Sequence, residues 1–473
     1  NVKSDDIKRS ETATTTKEDL HSVRSKLKKA ATIGANEVQS VKRQVTQEVK
    51  EQLGKLGFFD PEFHKLKLVW AFIKSYLFLT SMLVGIFSLY WGSLYQRESR
   101  MTNMHVLILL DDPNTYTNLE IDDYISNTLK SAIEYPTVAA SAGWTTEPYT
   151  SYTTNVTDLD RLIEHDVYHQ KIWAIIKVTP NATLNYFNAL QSNTTSELDL
   201  NSLIEIVYET GREYVGISSY LSKSFTRLQT QFQQLQSKYI TIPLTSKLTR
   251  DQITDGLEIL GQPIQFTLTD LTSKKLIKAI VTAPQQFGLV YLHVLSLMQL
   301  TFFQPFHAKV ALKLNDNHFM IYRIVSSQIT YLVIGLSYTL VQLAFSIDIY
   351  TAYPAKVGFL VFWLVTYLML SALGGINENV VLLIQCFFPH LNSMWMFFYM
   401  VANVAPIYYP MVLSPQFYRY VYALPIKNGF EIYKMLLFNT WKLASLPRNL
   451  VLLLFWAIAT HAILPTTIRY YSR

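Results

Sequence analysis

Apolar and polar residues alternate along this chain in three different rhythms. Residues 1–67 are polar and basic, with few apolar positions. Leu68 to Tyr95 is one apolar run interrupted by Lys74, and its most apolar part, Tyr76 to Tyr95, has the length an α-helix needs to cross the hydrocarbon core of a bilayer. Residues 96–285 are polar on average, with short apolar runs between turn residues. Residues 286–473 are mostly apolar. Within them Phe287–Phe303, Ile324–Ile347, Val357–Leu373, Val380–Ala402 and Leu450–Ile468 read as further spans. The pattern predicts an α-helical polytopic membrane protein with six transmembrane helices, one and then five, and an α/β extracellular domain inserted after the first.

Each block carries finer expectations. In the arm, Asn1–Lys17 lacks the apolar residues a core needs. Val38, Val41, Val45, Val49, Leu53 and Leu56 then recur at helical spacing. This predicts either a basic amphipathic helix on the inner leaflet or a solvated helix or short coiled coil. In residues 96–285, Met104–Leu110, Ile172–Val178 and Ile264–Leu268 read as strands. Ile121–Tyr135, Leu159–Asp166 and Ser202 to about Tyr239 read as helices, and Gly143–Tyr152 as irregular. In the membrane block, Gly374-Gly375-Ile376-Asn377-Glu378-Asn379 reads as a tight inner turn between two spans. Asn403–Asn449, with five prolines, reads as short interfacial or re-entrant helices on the outer face.

Charge orients the first span. Lys50, Lys55, Lys65, Lys67 and Lys74 precede it, which places both the N-terminus and, after six spans, the C-terminal arginines Arg469 and Arg473 in the cytoplasm. Asn155, Asn181 and Asn193 each begin a glycosylation sequon in the block this places outside. Charged residues make up 16% of the chain, against roughly 25% in a soluble domain. The net charge of +6 lies largely in the arm, where anionic lipid is a better partner than nucleic acid. The one cysteine, Cys386, rules out disulfides within the chain and cysteine-based metal sites. The first span is the expected targeting signal.

Candidate chemistry is thin. Asp111-Asp112 suits a divalent cation, but also suits a strand stop. His165 and His169 are four apart on a predicted helix, yet Asp166 stands where a zincin would need glutamate. There is no Gly-x-Ser-x-Gly elbow and no phosphate-cradling P-loop, since Gly54-Lys55 is followed by Leu56. The expectation is a protein that is not an enzyme and holds no cofactor or metal. Polar side chains inside spans are costly in lipid and become the candidates: His293, Gln299, Gln328, Gln342, Gln385, His390 and Asn392. They mark either a translocation path or hydrogen bonds between helices. Only Glu378 approaches the spans as an acidic group, at what reads as a membrane edge, so a proton pump with an acidic centre is disfavoured.

Several segments resemble one family. Leu89-Tyr90-Trp91-Gly92-Ser93-Leu94-Tyr95 with Arg97, then Val106–Asp111, then Trp173–Ile176 before Pro180–Thr183 resemble the fungal nitrosoguanidine-resistance family. So do Leu413-Ser414-Pro415-Gln416-Phe417-Tyr418-Arg419-Tyr420 and Tyr422-Ala423-Leu424-Pro425 with Asn428 and Glu431. The resemblance runs from about Leu68 to Ile468. It implies a fungal plasma-membrane protein, akin to the membrane subunits of type-2 ABC exporters and to phage-infection-protein-like proteins, linked to drug and mutagen resistance and membrane-lipid homeostasis. It transfers no catalytic residue. With no ATPase in the chain, ATP-driven transport would need a separate subunit. Two functions are therefore expected in parallel: an exporter-like protein, or a non-transporting lipid sensor or scaffold with a signalling partner. Exporter kinship and the Gln-rich helix also suggest a homodimer.

Overall fold

The computed structural model describes residues 65–472 except 111–120, 154, 193–199, 275, 277, 278, 406 and 441. The predicted arm helix, Asp111-Asp112 and the Asn193 sequon lie outside the described residues. Contacts divide the chain into residues 1–82 and 83–473. In the first unit, residues 66–81 form an exposed apolar stretch of helix α1 (Lys65–Leu94). All that follows concerns the second unit.

After α1 come β1 (His105–Leu110), α2 (Tyr124–Ile133), β2 (Gly143–Pro148), α3 (Leu159–Tyr168), β3 (Ala174–Val178), α4 (Ala182–Ser192), β4 (Ile204–Tyr208), α5 (Ser222–Gln236) and β5 (Phe266–Asp270). The strands form one sheet in the order β2-β1-β3-β4-β5, parallel except for the β3–β4 pair. Helices cover both faces, so β1 and β3 are apolar at nearly every position. Val106, Ile108, Ile176 and Ile206 face Leu129 of α2 and Leu228 and Phe232 of α5. Leu107, Leu109, Ile175 and Val207 face Leu159, Ile163 and Val167 of α3.

Two expectations fail here. Gly143–Tyr152 is not irregular. Its first part is an edge strand whose outer residues are exposed, so it lacks the apolar signature of β1. The helix expected from Ser202 begins later, because Ile204–Tyr208 is a strand whose Ile-Glu-Ile-Val run ends just before the helical pattern begins. The apolar side of α5 packs within its own domain, where Leu228 and Phe232 are fully buried.

The membrane block contains α6 (Gly288–Ala311), α7 (Asp316–Ala344), α8 (Ala355–Phe387), α9 (Asn392–Val404), α10 (Pro425–Phe438) and α11 (Lys442–Ser472). With α1, the described residues hold five helices long and apolar enough to cross a membrane, and the chain is a multi-pass membrane protein. The expected six spans do not appear, because no turn interrupts residues 374–379. The 33 residues of α8 run straight through them, about 50 Å at 1.5 Å per residue. The two glycines are packing notches. A Cβ at Gly374 would strike the Tyr331 ring, and one at Gly375 would strike Thr460. The helix breaks instead at Phe388, ahead of Pro389, and the 13 residues of α9 rise only about 20 Å, short of a crossing.

Contacts fix the directions. Phe387 meets Tyr470, Asn379 holds Thr467, and Gly375 lies on Thr460, so α8 and α11 run parallel. The intervening segment must therefore return the chain to the start of α11. It does so through α9, three-residue-per-turn coils at Met411–Leu413 and Gln416–Ala423, and α10. Short helices were expected there, and α10 is one. Every residue except Glu431 is buried, and the helix lies against α8 and α11.

Candidate functional site

The polar residues of the bundle gather at two levels. At the first, His293 of α6 is fully buried. Its Nδ1 lies 3.3 Å from the Asn377 amide and its Nε2 3.4 Å from the Met396 carbonyl. Asn377 donates to Ser296 Oγ at 2.7 Å and accepts from the Trp395 indole at 3.2 Å. Gln299 donates to the Tyr331 hydroxyl at 3.3 Å. Helices α6, α7, α8 and α9 are thus joined through one set of side chains, each with a partner.

The second level lies nearer the C-terminal end of α8. Arg323 and Glu378, both buried, form an ion pair, and Ser327 donates to the other carboxylate oxygen at 3.4 Å. Glu378 and Arg323 are therefore helix residues, neither in a turn nor in a loop. They sit inside the bundle because α8 continues through the positions that read as a turn. Beside them His307 meets the Tyr322 hydroxyl at 3.1 Å.

Next to this pair the bundle lines a partly open cavity of about 440 Å³. Its walls are mainly apolar, from Leu297, Leu300, Val381, Leu382, Met396 and Ile468. Its polar groups are Thr301, Gln304, His307, Arg323, Gln385, Asn392 and Ser393. The side-chain oxygen of Asn392, at the start of α9, is buried without a hydrogen-bond partner. A mostly apolar cavity with a few converging polar groups is the usual form of a site for an amphiphilic small molecule.

The seven polar candidates thus separate. Gln385 and Asn392 line the cavity, and His293 and Gln299 belong to the network above it. Gln328 accepts from Tyr367 at 2.7 Å and Ser371 at 3.1 Å and meets His461 at 2.6 Å, tying α7 to α8 and α11. Gln342 bonds back to Tyr338 in its own helix. His390 belongs to the short helical turn Pro389–Leu391. Ser296, His307, Arg323 and Asn377 were not among the sequence candidates, and Glu378 was weighed only as an acidic group at an edge. An Asn-Glu-Asn triplet on the helical repeat of its apolar neighbours was the available signal.

Outside the bundle, Asn155 is exposed, with its amide accepting from Thr157. Asn181 is half-buried with φ 59°, and its Thr183 hydroxyl is engaged with Asp123 at 3.0 Å. His165 and His169 stack at 4.0 Å, and Asp166 serves Lys171 at 2.8 Å and Tyr152 at 2.9 Å. No cluster of three or more metal-ligating side chains occurs among the described residues.

The two ends of the family motif meet. Tyr418 donates to the Leu89 carbonyl at 2.7 Å, and a Cβ at Gly92 would strike its hydroxyl. Arg97 lies 3.4 Å over the Tyr409 ring. Pro415 and Pro425 open the helices that follow them, with Pro425 buried, while Trp91, Tyr95 and Arg419 are exposed.

The family model described as "Protein of unknown function (DUF3533)" matches residues 75–462. This chain belongs to the DUF3533 family. The match runs from within α1 through the sheet domain and into α11. The DUF3533 chain is also similar to the "Uncharacterized endoplasmic reticulum membrane protein YJR015W" of Saccharomyces cerevisiae. The two are 26% identical over 432 residues, 88% of this chain and 83% of the relative. No solved structure matches.

Proposed function

We propose that this protein is an exporter-like membrane protein that takes a membrane amphiphile into the cavity between α6, α7, α8, α9 and α11. The observation that carries the reading is the cavity itself, apolar over most of its wall and polar at Arg323, Gln385 and Asn392. That division suits a molecule with a hydrocarbon tail and a polar head. The broken crossing at α9 supports it, since non-helical backbone at membrane depth is tolerated where it is enclosed by protein or lines a cavity. In this reading the α/β domain lies on the outer or lumenal side and both termini face the cytoplasm. The membrane is the plasma membrane, as the nitrosoguanidine-resistance resemblance implies, or the endoplasmic reticulum, as the name of the yeast relative suggests. The protein handles lipid or a lipophilic toxic compound without an ATPase or catalytic step of its own.

The test is movement in proteoliposomes. Purified protein is reconstituted with fluorescent phospholipid or, separately, a labelled lipophilic cation, and movement is followed by dithionite or quenching, without and with ATP or a proton gradient. Movement above empty vesicles is expected. Filling the cavity by Leu300→Trp should stop it, while Phe302→Ala, on an exposed part of the same helix, should not. Labelled lipid that binds and is displaced by Leu300→Trp without moving would favour a lipid sensor or scaffold. Neither binding nor movement would sink the cavity reading.

A further inference from the structure

The α/β domain meets α10 through buried charge. Lys427, Glu431 and Lys434 are spaced four and three residues apart, which sets them on one face of α10. Opposite them runs the segment after β4, with Glu209 and Glu213 buried and Arg212 between them. Gly211 of this segment lies against Phe438, too close for a side chain. The segment therefore cannot shift without parting the domain from α10.

The acids here are not equally served. Glu431 receives Lys427 at 2.7 Å and Lys434 at 2.8 Å. Asp270, at the end of β5, accepts from the Thr210 and Thr272 amides at 3.0 and 2.9 Å and from the Thr210 hydroxyl at 2.5 Å. The Arg212 guanidinium is occupied by the Trp173 ring at 3.8 Å and the Ile172 carbonyl at 2.6 Å. Lys434 donates to the Arg212 carbonyl at 2.8 Å and stays 3.8 Å from Glu213. That leaves Glu209 Oε2 and Glu213 Oε1 buried without a hydrogen-bond partner.

Charge counting gives the same answer. Among the described residues, four acids, Glu209, Glu213, Asp270 and Glu431, are set against three bases, Arg212, Lys427 and Lys434. A buried site with one uncompensated negative charge and one oxygen on each of two carboxyls lacking a donor lowers its energy by binding a proton.

We propose that Glu209 and Glu213 form a proton-binding site at the joint between the α/β domain and α10, taking up one proton from water as the joint closes and returning it as the joint opens. This stands whatever the cavity holds. Burial pushes Glu209 up to about 8 against the pull of Lys434 and Arg212, with Asp270 adding to the rise. Burial raises Glu213 too, against Lys434, Lys427 and Arg212 and with Glu431. A carboxyl raised in the closed state stabilises closure fully at low pH. That stability falls as pH rises above the value in water and is gone once the closed-state value is passed. Alkaline pH therefore favours the open joint.

The experiment is hydrogen–deuterium exchange of the full chain in lipid nanodiscs from pH 6 to 9, corrected for intrinsic exchange and read at residues 209–216. One linked proton predicts an opening equilibrium that grows about tenfold per pH unit below pH 8 and levels off above it. Glu209→Gln combined with Glu213→Gln should be flat, and Glu258→Gln, exposed in the same domain, should keep the wild-type slope. A flat wild type, or a slope that survives the double variant, overturns the proposal. Infrared spectroscopy of the unmutated chain gives an independent reading should that variant fail to fold. A protonated carboxyl stretch should persist at pH 7 and disappear near pH 8, and its absence at pH 7 overturns the proposal as well.

Discussion

The sheet domain and the helical bundle solve burial in opposite ways. In the domain, the core between the sheet and α2 and α5 is apolar, with Ile108, Leu129, Leu228 and Phe232 fully enclosed. In the bundle much of the apolar surface points outward, with Phe302, Ile321, Phe455 and Ile458 all exposed. Inside are His293, Arg323, Asn377 and Glu378. Water drives apolar side chains together in the first case. Lipid supplies no such drive between helices, so close packing and hydrogen bonds hold the second together. A buried polar residue is an exception to be explained in the domain and an ordinary means of association in the bundle.

The largest test of this contrast is the ion pair. Arg323→Met alone should destabilise the protein by about 3–5 kcal/mol, because Glu378 is left buried and unpaired. Arg323→Met with Glu378→Met should recover most of that, as seen in thermal unfolding of the protein in detergent. A double variant as unstable as the single would mean that the pair contributes far more than its own compensation. Packing comes next. Gly375→Leu drives a side chain into Thr460 where α8 and α11 run side by side, and should cost about 1–3 kcal/mol. If it is neutral, small residues do not set the spacing of these helices. The smallest effect belongs to the hydrogen-bond network. Asn377→Leu removes contacts to Ser296, His293 and Trp395, yet such bonds in membranes average about 0.6 kcal/mol, and the loss should stay below about 2. A much larger loss would make this network, rather than packing, the principal tie in the bundle.

The same contrast explains what could be read in advance. β1 and β3 were legible because a short apolar run between turn residues has few other uses. β2 was not, since an edge strand buries little and carries little pattern. In the bundle, apolar runs revealed that helices were present but not where they ended. Gly374-Gly375 followed by Asn-Glu-Asn has the composition of a turn. Only the approach of Tyr331 and Thr460 shows that the glycines admit neighbouring helices. That one boundary displaced a span and moved Glu378 from an edge to the interior. It also concealed the cavity, which needs Gln385 at the end of a continuous α8 and Asn392 at the start of a separate α9.

By itself, then, the sequence determined that the chain is a membrane protein with an α/β insertion after its first span, and that polar side chains must be enclosed among the later helices. Hydropathy and periodicity are local, and these conclusions needed nothing else. Which polar side chain meets which was decided by the tertiary structure. Arg323 and Glu378 are 55 positions apart, and Glu213 and Lys434 are 221 apart. Nothing near either residue in the chain specifies its partner. The packing of α7 on α8, and the return of the chain through α10 to the loop after β4, bring them together.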